Sequence, residues 1–328
     1  MGKSSGGEST GTVLLALSMN FVVFLCKAAG GFISGSSALM SEAAHSVGDT
    51  MNQVFLLTAL KRSNRPPDEQ HPFGYGQERF FWSLIAAVGI FVAGAIFSFF
   101  QGYQALTSDE HETAFDFYIS YITLGISLVA EGASLMKAVR QTRREAREAD
   151  HRLVEYIRVS DDPTVKTVAS EDTAAVIGIA FAFAGIGLHQ LTGNPVFDAI
   201  ASFAIGALLS YVAYALGRDN MGLLIGESAE PRVREAMRKQ LEGYPEIDQV
   251  LELYTIKIGT RELLVAVRLD LAEDLDSNQV EGVSTRIDHD LHDRFPDVKQ
   301  VFLDATNADD QERESSSRRE DAEQSQKG

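Results

Sequence analysis

"SEAAHSVGDTMNQ", residues 41–53, interrupts what otherwise reads as a buried helix. Apolar residues lead into it and "VFLLTAL" (54–60) runs out of it, yet it carries Glu42, His45, Asp49, Asn52 and Gln53. On a helix, residues three and four apart share a face, so Glu42, His45 and Asp49 form one polar stripe that Asn52 and Gln53 prolong. Ionisable groups in an apolar span are costly and face a cavity or a partner. One account of the stripe is a polar network joining two helices. The other is a metal site, because His and Asp at i and i+4 can grip one ion.

The surroundings decide what kind of helix this is. The chain has 328 residues, 45% of them hydrophobic, which is room for two domains. Apolar blocks of about 20 residues, the length that crosses a bilayer, fill much of the first two thirds. The last third is charged and mixed. Six spans are predicted, at roughly 11–34, 38–60, 80–106, 115–138, 169–191 and 195–217; the second and fifth are polar enough for a hydropathy count to miss. The expected organisation is a polar N-terminal tail (1–10), a six-helix membrane domain (11–220), a cytosolic domain (221–307) and a disordered acidic tail (308–328).

Charge sets the orientation. The loops "SGSS" (34–37), "TSDEHETAFD" (107–116) and "TGNP" (192–195) contain no Lys or Arg. The alternate loops carry Lys61, Arg62 and Arg65, then Arg140, Arg143, Arg144, Arg147, Arg152 and Arg158. The positive-inside rule therefore predicts a multi-pass protein of the cell membrane with both termini cytoplasmic. "MGKSSGGEST" (1–10) lacks a cleavage pattern, so the first span is expected to be retained. Cys26, mid-span and alone, makes no internal disulfide and is expected to pack. A net charge of −17 disfavours a nucleic-acid partner.

A second polar cluster strengthens the metal reading. "VASEDTAAVIG" (168–178) places Glu171 and Asp172 where the fifth span opens, at a depth that matches His45 and Asp49. The competing account is that both carboxylates cap a helix N-terminus, where the macrodipole favours negative charge. Elsewhere, Lys27 and Glu131 are expected to pair inside the bundle or to let Lys27 snorkel. Asp198 reads as an anchor at the start of the sixth span, and His189 as a residue near the membrane edge.

The long stretches "GFISGSSALMSEAAHSVGDTMNQ" (31–53), "HPFGYGQERFFWSLIAAVGIF" (71–91), "VAEGASLMKAV" (129–139) and "VASEDTAAVIGIAFAFAGIGLHQLTGNPVFDAIAS" (168–202) resemble the cation diffusion facilitators, dimeric metal/proton antiporters. The likeness is greatest to the branch that contains the mammalian zinc transporter 9, and it runs to about residue 306. It implies a transport site with two ligands from span two, here His45 and Asp49, and two from span five. Asp172 matches one of those. Where a His commonly stands four residues earlier, this chain has Val168, so the last ligand is left to Glu171, Glu42 or a water. In the cytosolic loop, Asp68 and His71 match two ligands of a secondary site, with Tyr75 where another His often follows. A plain turn built on Pro66, Pro67, Gly74 and Gly76 explains the same residues.

Ligand chemistry bounds the ion. One imidazole with two or three carboxylates suits Zn²⁺ and accepts Mn²⁺ or Fe²⁺. A His must be neutral to bind metal and has an unperturbed pKa of about 6.5, so metal arrival displaces a proton. The expectation is a Zn²⁺/H⁺ antiporter exporting metal from the cytoplasm, with a membrane metal sensor or scaffold as the rival. It needs no cofactor besides its transported ion. An enzyme is disfavoured: no H-E-x-x-H run occurs.

The tail domain has its own pattern. "EPRVREAMRKQLEGY" (230–244) reads as a helix, "QVLELYTIKI" (249–258) and "ELLVAVRLDL" (262–271) as a hairpin, "NQVEGVSTRIDHDLHDRF" (278–295) as a second helix and "VKQVFLDA" (298–305) as a third strand. The αββαβ order makes a small α+β layer, and the resemblance implies a ferredoxin-like, dimerising unit. Its strands carry residues such as Leu251 and Arg268, and its histidines, His289 and His292, fall on a helix, so a family-type dinuclear site is not expected.

Overall fold

A computed structural model describes residues 10–107, 113–148, 152, 153, 156, 157, 163–272 and 275–306. The expected tails at 1–9 and 307–328 lie outside the described residues. The chain divides into two compact units, Met1–Leu224 and Ile225–Gly328.

Among the described residues, the first unit contains six long helices: α1 (Thr10–Ser34), α2 (Ser37–Ser63), α3 (Glu78–Thr107), α4 (Ala114–Glu148), α5 (Pro163–Thr192) and α6 (Val196–Leu224). Four of them, α3 to α6, contain segments long and apolar enough to cross a membrane. The described apolar part of α1, Asn20–Ser34, is shorter, and α2 falls short on apolarity. The physical reason for α2 is its position. It packs against α1, α3, α5 and α6, so its polar stripe faces protein; Ser41, Glu42, His45, Ser46, Asp49 and Asn52 are all buried. The outward surfaces of the other helices are apolar, with Phe32, Tyr118, Val129 and Leu191 exposed, as a lipid-facing shell requires.

Pro163 is the first residue of α5, a position where its missing N–H costs nothing. The helix of the fourth span runs on past residue 138 to Glu148, carrying its Arg-rich end. Within α3, residues Ile90–Ile96 wind as a π-helix, a departure that sequence periodicity does not reveal. Cys26 is exposed on α1, so the packing role expected for it is replaced by an outward one.

Small residues set the closest approaches. Gly35 takes φ 71° in the turn between α1 and α2, a left-handed conformation that a Cβ would strain. The core between the helices is apolar, with Leu39, Ile90, Leu124, Ile179, Ile205 and Leu209 fully buried or nearly so.

The second unit has the element order read from the sequence: α7 (Pro231–Leu241), β1 (Ile247–Gly259), β2 (Glu262–Leu271), α8 (Ser277–Arg294) and β3 (Val298–Ala305). The sheet order is β1-β2-β3, antiparallel between β1 and β2 and parallel between β2 and β3. Leu263, Val265, Val267 and Leu269 alternate into the core on one face of β2, where Met237, Leu241, Ile287 and Leu291 cover them. Asp276 starts α8 with a capping box: its side chain accepts from the Gln279 N–H at 2.8 Å, and the Gln279 side chain accepts from the Asp276 N–H at 2.8 Å.

Candidate metal site

The polar stripe of α2 meets α5 face to face. His45 Nε2 lies 3.4 Å from Asp49 Oδ1, one turn along the same helix. One further turn on, Asn52 Nδ2 donates to Glu171 Oε2 at 2.5 Å, which ties α2 directly to α5. Asp49 lies one turn before Asn52 on α2, and Glu171 is the partner of Asn52 on α5. Both lie deep in the bundle, with His45 almost fully buried. Three polar atoms in this patch, His45 Nδ1, Asp49 Oδ1 and Glu171 Oε1, are buried without a hydrogen-bond partner among the described residues. Buried polar atoms are nearly always satisfied, so a patch with two unsatisfied carboxylate oxygens beside an imidazole is a place where a cation would be welcome.

Asp172 points elsewhere. Consecutive helix residues project about 100° apart at 3.6 per turn, so Glu171 and Asp172 do not share a face. Asp172, half-buried, accepts a hydrogen bond at 3.0 Å from Ser134 Oγ on α4. Both carboxylates sit about two turns inside α5, too far from Pro163 for the N-terminal capping role that was the alternative. The side chain of Val168 lies outside the described residues. Among the described residues, no three His, Cys, Asp or Glu side chains converge tightly enough to hold an ion as they stand.

Glu42 is committed elsewhere as well. Lys27 on α1, completely buried, donates to Glu42 Oε2 at 3.2 Å and to Glu131 Oε1 on α4 at 3.2 Å. Of the two sequence readings for Lys27, the internal ion pair is the one formed. Its second carboxylate partner went unread because the helical stripe groups Glu42 with His45. Asp198, read as an anchor for its own helix, caps a different one: its carboxylate accepts from the Ser37 and Ala38 N–H groups at the start of α2. His189 is buried with its ring edge-on to Phe117.

In the loop between α2 and α3, Asp68 is the bracket of a tight turn. It accepts from the N–H groups of Gln70 and His71 at 3.1 and 2.8 Å and from the Tyr75 hydroxyl at 2.6 Å. The Tyr75 hydroxyl, then the His71 N–H, hold the Asp68 carboxyl below its usual range. His71 Nδ1 lies 3.5 Å from Asp68, and its ring rests against Tyr75 at 4.2 Å between centroids. Tyr75 thus takes up, by hydrogen bonding, an oxygen that a metal would otherwise use. In the second unit, Arg268 is spent on Asp304 at 2.8 Å, and His292 Nδ1 lies 2.7 Å from the Asp288 carbonyl.

Comparison with known proteins follows the same residues. The cation efflux transmembrane domain family matches residues 13–225. The chain is 34% identical over 259 residues to the human "Proton-coupled zinc antiporter SLC30A9, mitochondrial", covering 79% of this chain and 45% of that protein. It is 35% identical over 263 residues to "Metal tolerance protein C4" of Arabidopsis thaliana, covering 80% and 57%. It is 26% identical over 292 residues to the "Manganese efflux system protein MneP" of Bacillus subtilis (strain 168), covering 88% and 93%. The chain spans about half the length of the first two relatives. The family match runs from within α1 to the end of α6 and covers well over half of the 328 residues, and the chain belongs to the cation efflux family, the cation diffusion facilitators.

Proposed function

We propose that this protein is a divalent metal/proton antiporter that moves Zn²⁺ in preference to Mn²⁺ or Fe²⁺ out of the cytoplasm by alternating access, with both termini on the cytoplasmic side. The observation that carries this reading is the buried patch where α2 is tied to α5, in which His45, Asp49 and Glu171 each keep a buried polar atom without a hydrogen-bond partner among the described residues. The names of the relatives support metal export, and they differ between zinc and manganese, in keeping with a ligand set of one imidazole and several oxygens. In this reading His45, Asp49 and Glu171 bind the ion. Asp172 joins them when it gives up its bond to Ser134, a change that requires α5 to turn relative to α4. Binding displaces protons, and each loaded state favours the opposite opening.

The finer architecture belongs to the same proposal: six membrane crossings, a ferredoxin-like second unit, and assembly as a homodimer through that unit. Asp68 and His71 would offer a second, weaker position if Tyr75 released Asp68.

Metal uptake into proteoliposomes under an imposed pH gradient tests the reading, comparing Zn²⁺, Mn²⁺ and Fe²⁺ for the wild type, Asp49→Ala and Asp172→Ala. Gradient-driven uptake of one ion, lost in both variants, is expected. Metal that binds without entering, or that enters equally well without those carboxylates, would put the sensor reading in its place.

A further inference from the structure

The antiport reading leaves one buried cluster unused. Lys27, Glu42 and Glu131 join α1, α2 and α4 through two 3.2 Å ion pairs, and Lys27 and Glu42 are wholly buried. Their formal charges do not balance: one ammonium faces two carboxylates. An uncompensated charge in a bundle interior is among the most expensive features a protein can hold, and such a group takes up a counter-ion or a proton. Lys27 supplies one donor to each carboxylate, and the second oxygen of Glu42, Oε1, has no hydrogen-bond partner among the described residues. That oxygen lies against Gly178 of α5, where an added Cβ would collide with it.

Among the described residues, no second cation is paired with this carboxylate. On α2 itself the nearest ionisable groups are His45 and Asp49, and Asp49 also faces Lys27. From α5, Glu171 is bonded to Asn52 on α2, and Asp172 is bonded to Ser134, three residues along α4 from Glu131. The charges of α3 lie at its first turn, Glu78 and Arg79, beside Arg62 at the far end of α2. From α6, Asp198 is held at the opposite end of α2. Among the described ionisable residues near the triad, all except Lys27 and His45 are negative, which makes one exchangeable proton the natural balance.

We propose that Glu42, held by Lys27 together with Glu131, is a proton-carrying site distinct from the metal ligands, loaded and emptied once per transport cycle. The inference rests on the antiport reading. Its link to the metal is mechanical as well as electrostatic. Glu42 touches α5 at Gly178, and α2 and α5 also carry the two halves of the metal site. A shift between these helices that accommodates the ion also opens or closes the contact over Glu42. The proton leaves as a dication enters the same negative field, and it returns when the ion has gone.

The charge count makes a prediction that a packing role does not. Glu42→Gln and Glu131→Gln each leave Lys27 with one carboxylate, a balanced pair with no proton to exchange. Both variants should therefore behave alike. The experiment measures protons released per Zn²⁺ bound, with a pH dye in weakly buffered detergent, and in proteoliposomes the pH-driven and the metal-gradient-driven uptake of Zn²⁺. In each variant, protons released per ion are expected to fall by about one, with pH-driven accumulation lost while Zn²⁺ binding and downhill Zn²⁺ flux persist. Proton release and pH-driven uptake at wild-type levels in either folded variant overturn the proposal. Loss of Zn²⁺ binding in Glu42→Gln alone also overturns it, by making Glu42 a metal ligand. The wild-type control separates the two readings: if the wild type releases no protons and exchanges none for metal, the antiport reading itself fails. A wild type that does so, with variants that match it, sinks only the triad.

Discussion

The carboxylate of Asp198, in the first turn of α6, sits 2.7 Å from the backbone N–H of Ser37, the first residue of α2. It also accepts from the Ser36 and Ser37 hydroxyls and from the Ala38 N–H. The first N–H groups of a helix have no partner within it, and a negative group there answers both that need and the macrodipole. One side chain therefore fixes where the helix of the candidate metal site begins against its neighbour. Asp198→Ala should lower the stability of the membrane unit by about 2–4 kcal/mol, since several buried donors lose their acceptor together, and Asp198→Asn should cost less because one oxygen remains. Thermal aggregation of the detergent-solubilised protein checks the order; wild-type stability in Asp198→Ala would mean that the carboxylate is not the anchor.

Gly178 fixes the approach of α5 to α2. A methyl group at this position would occupy the place of Glu42 Oε1, and over-packing of this kind costs about 1–3 kcal/mol. Gly178→Ala should be destabilised and slow in transport, while adding Glu42→Ala should restore part of the stability. The double-mutant cycle reads the coupling directly. Additive effects would show that the two residues do not press on one another.

How much of this was legible beforehand depends on the range of the interaction. The helices followed from apolar blocks, and the αββαβ order from alternation at positions such as Leu263, Val265, Val267 and Leu269, because these patterns are local. The His45–Asp49 pair is one turn of a helix and was visible in the spacing. The partners of Glu42 and Asp198 were not visible, since they come from other helices and a stripe shows only which face a residue occupies. Glu171 and Asp172 illustrate the same limit: adjacent letters face α2 and α4, respectively. The π-helical turn at Ile90–Ile96 leaves no periodic trace that a window of residues could detect.

The loop between α2 and α3 gives a pH prediction. Asp68 titrates below its usual value because the Tyr75 hydroxyl and the His71 N–H hold its ionised form. A depressed carboxyl stabilises the turn at pH above its unfolded value and loses that contribution as pH falls through the lower folded value. Tyr75→Phe should move the Asp68 titration upward, followed by NMR of the labelled carboxyl, and should leave the turn dependent on the two backbone N–H groups. An unchanged titration would mean that the hydroxyl does not hold Asp68. The same variant, assayed for metal bound per chain, tests the second site: extra binding on removal of the hydroxyl would show Asp68 and His71 to be ligands that Tyr75 blocks.

In the second unit, the Tyr244 hydroxyl donates to Asp290 on α8, with Arg286 over the Tyr244 ring. Partial burial, then the carboxylate of Asp290, push the Tyr244 phenol up to about 12. The folded state therefore holds this proton more tightly than the unfolded chain does. Its contribution is complete below the ordinary phenol value of about 10 and is lost as pH rises through about 12. An ultraviolet titration of tyrosinate, taken as wild type minus Tyr244→Phe, isolates this phenol from the nine tyrosines of the chain. A difference curve with its midpoint near 12 is expected, and Asp290→Asn should draw it back toward the ordinary range. A midpoint near 10 in the wild type would mean that the pair does not form in solution, and the seat of α8 against the turn at Tyr244 would then rest on the Arg286–Glu246 ion pair and on the apolar contacts of Leu291 and Phe295.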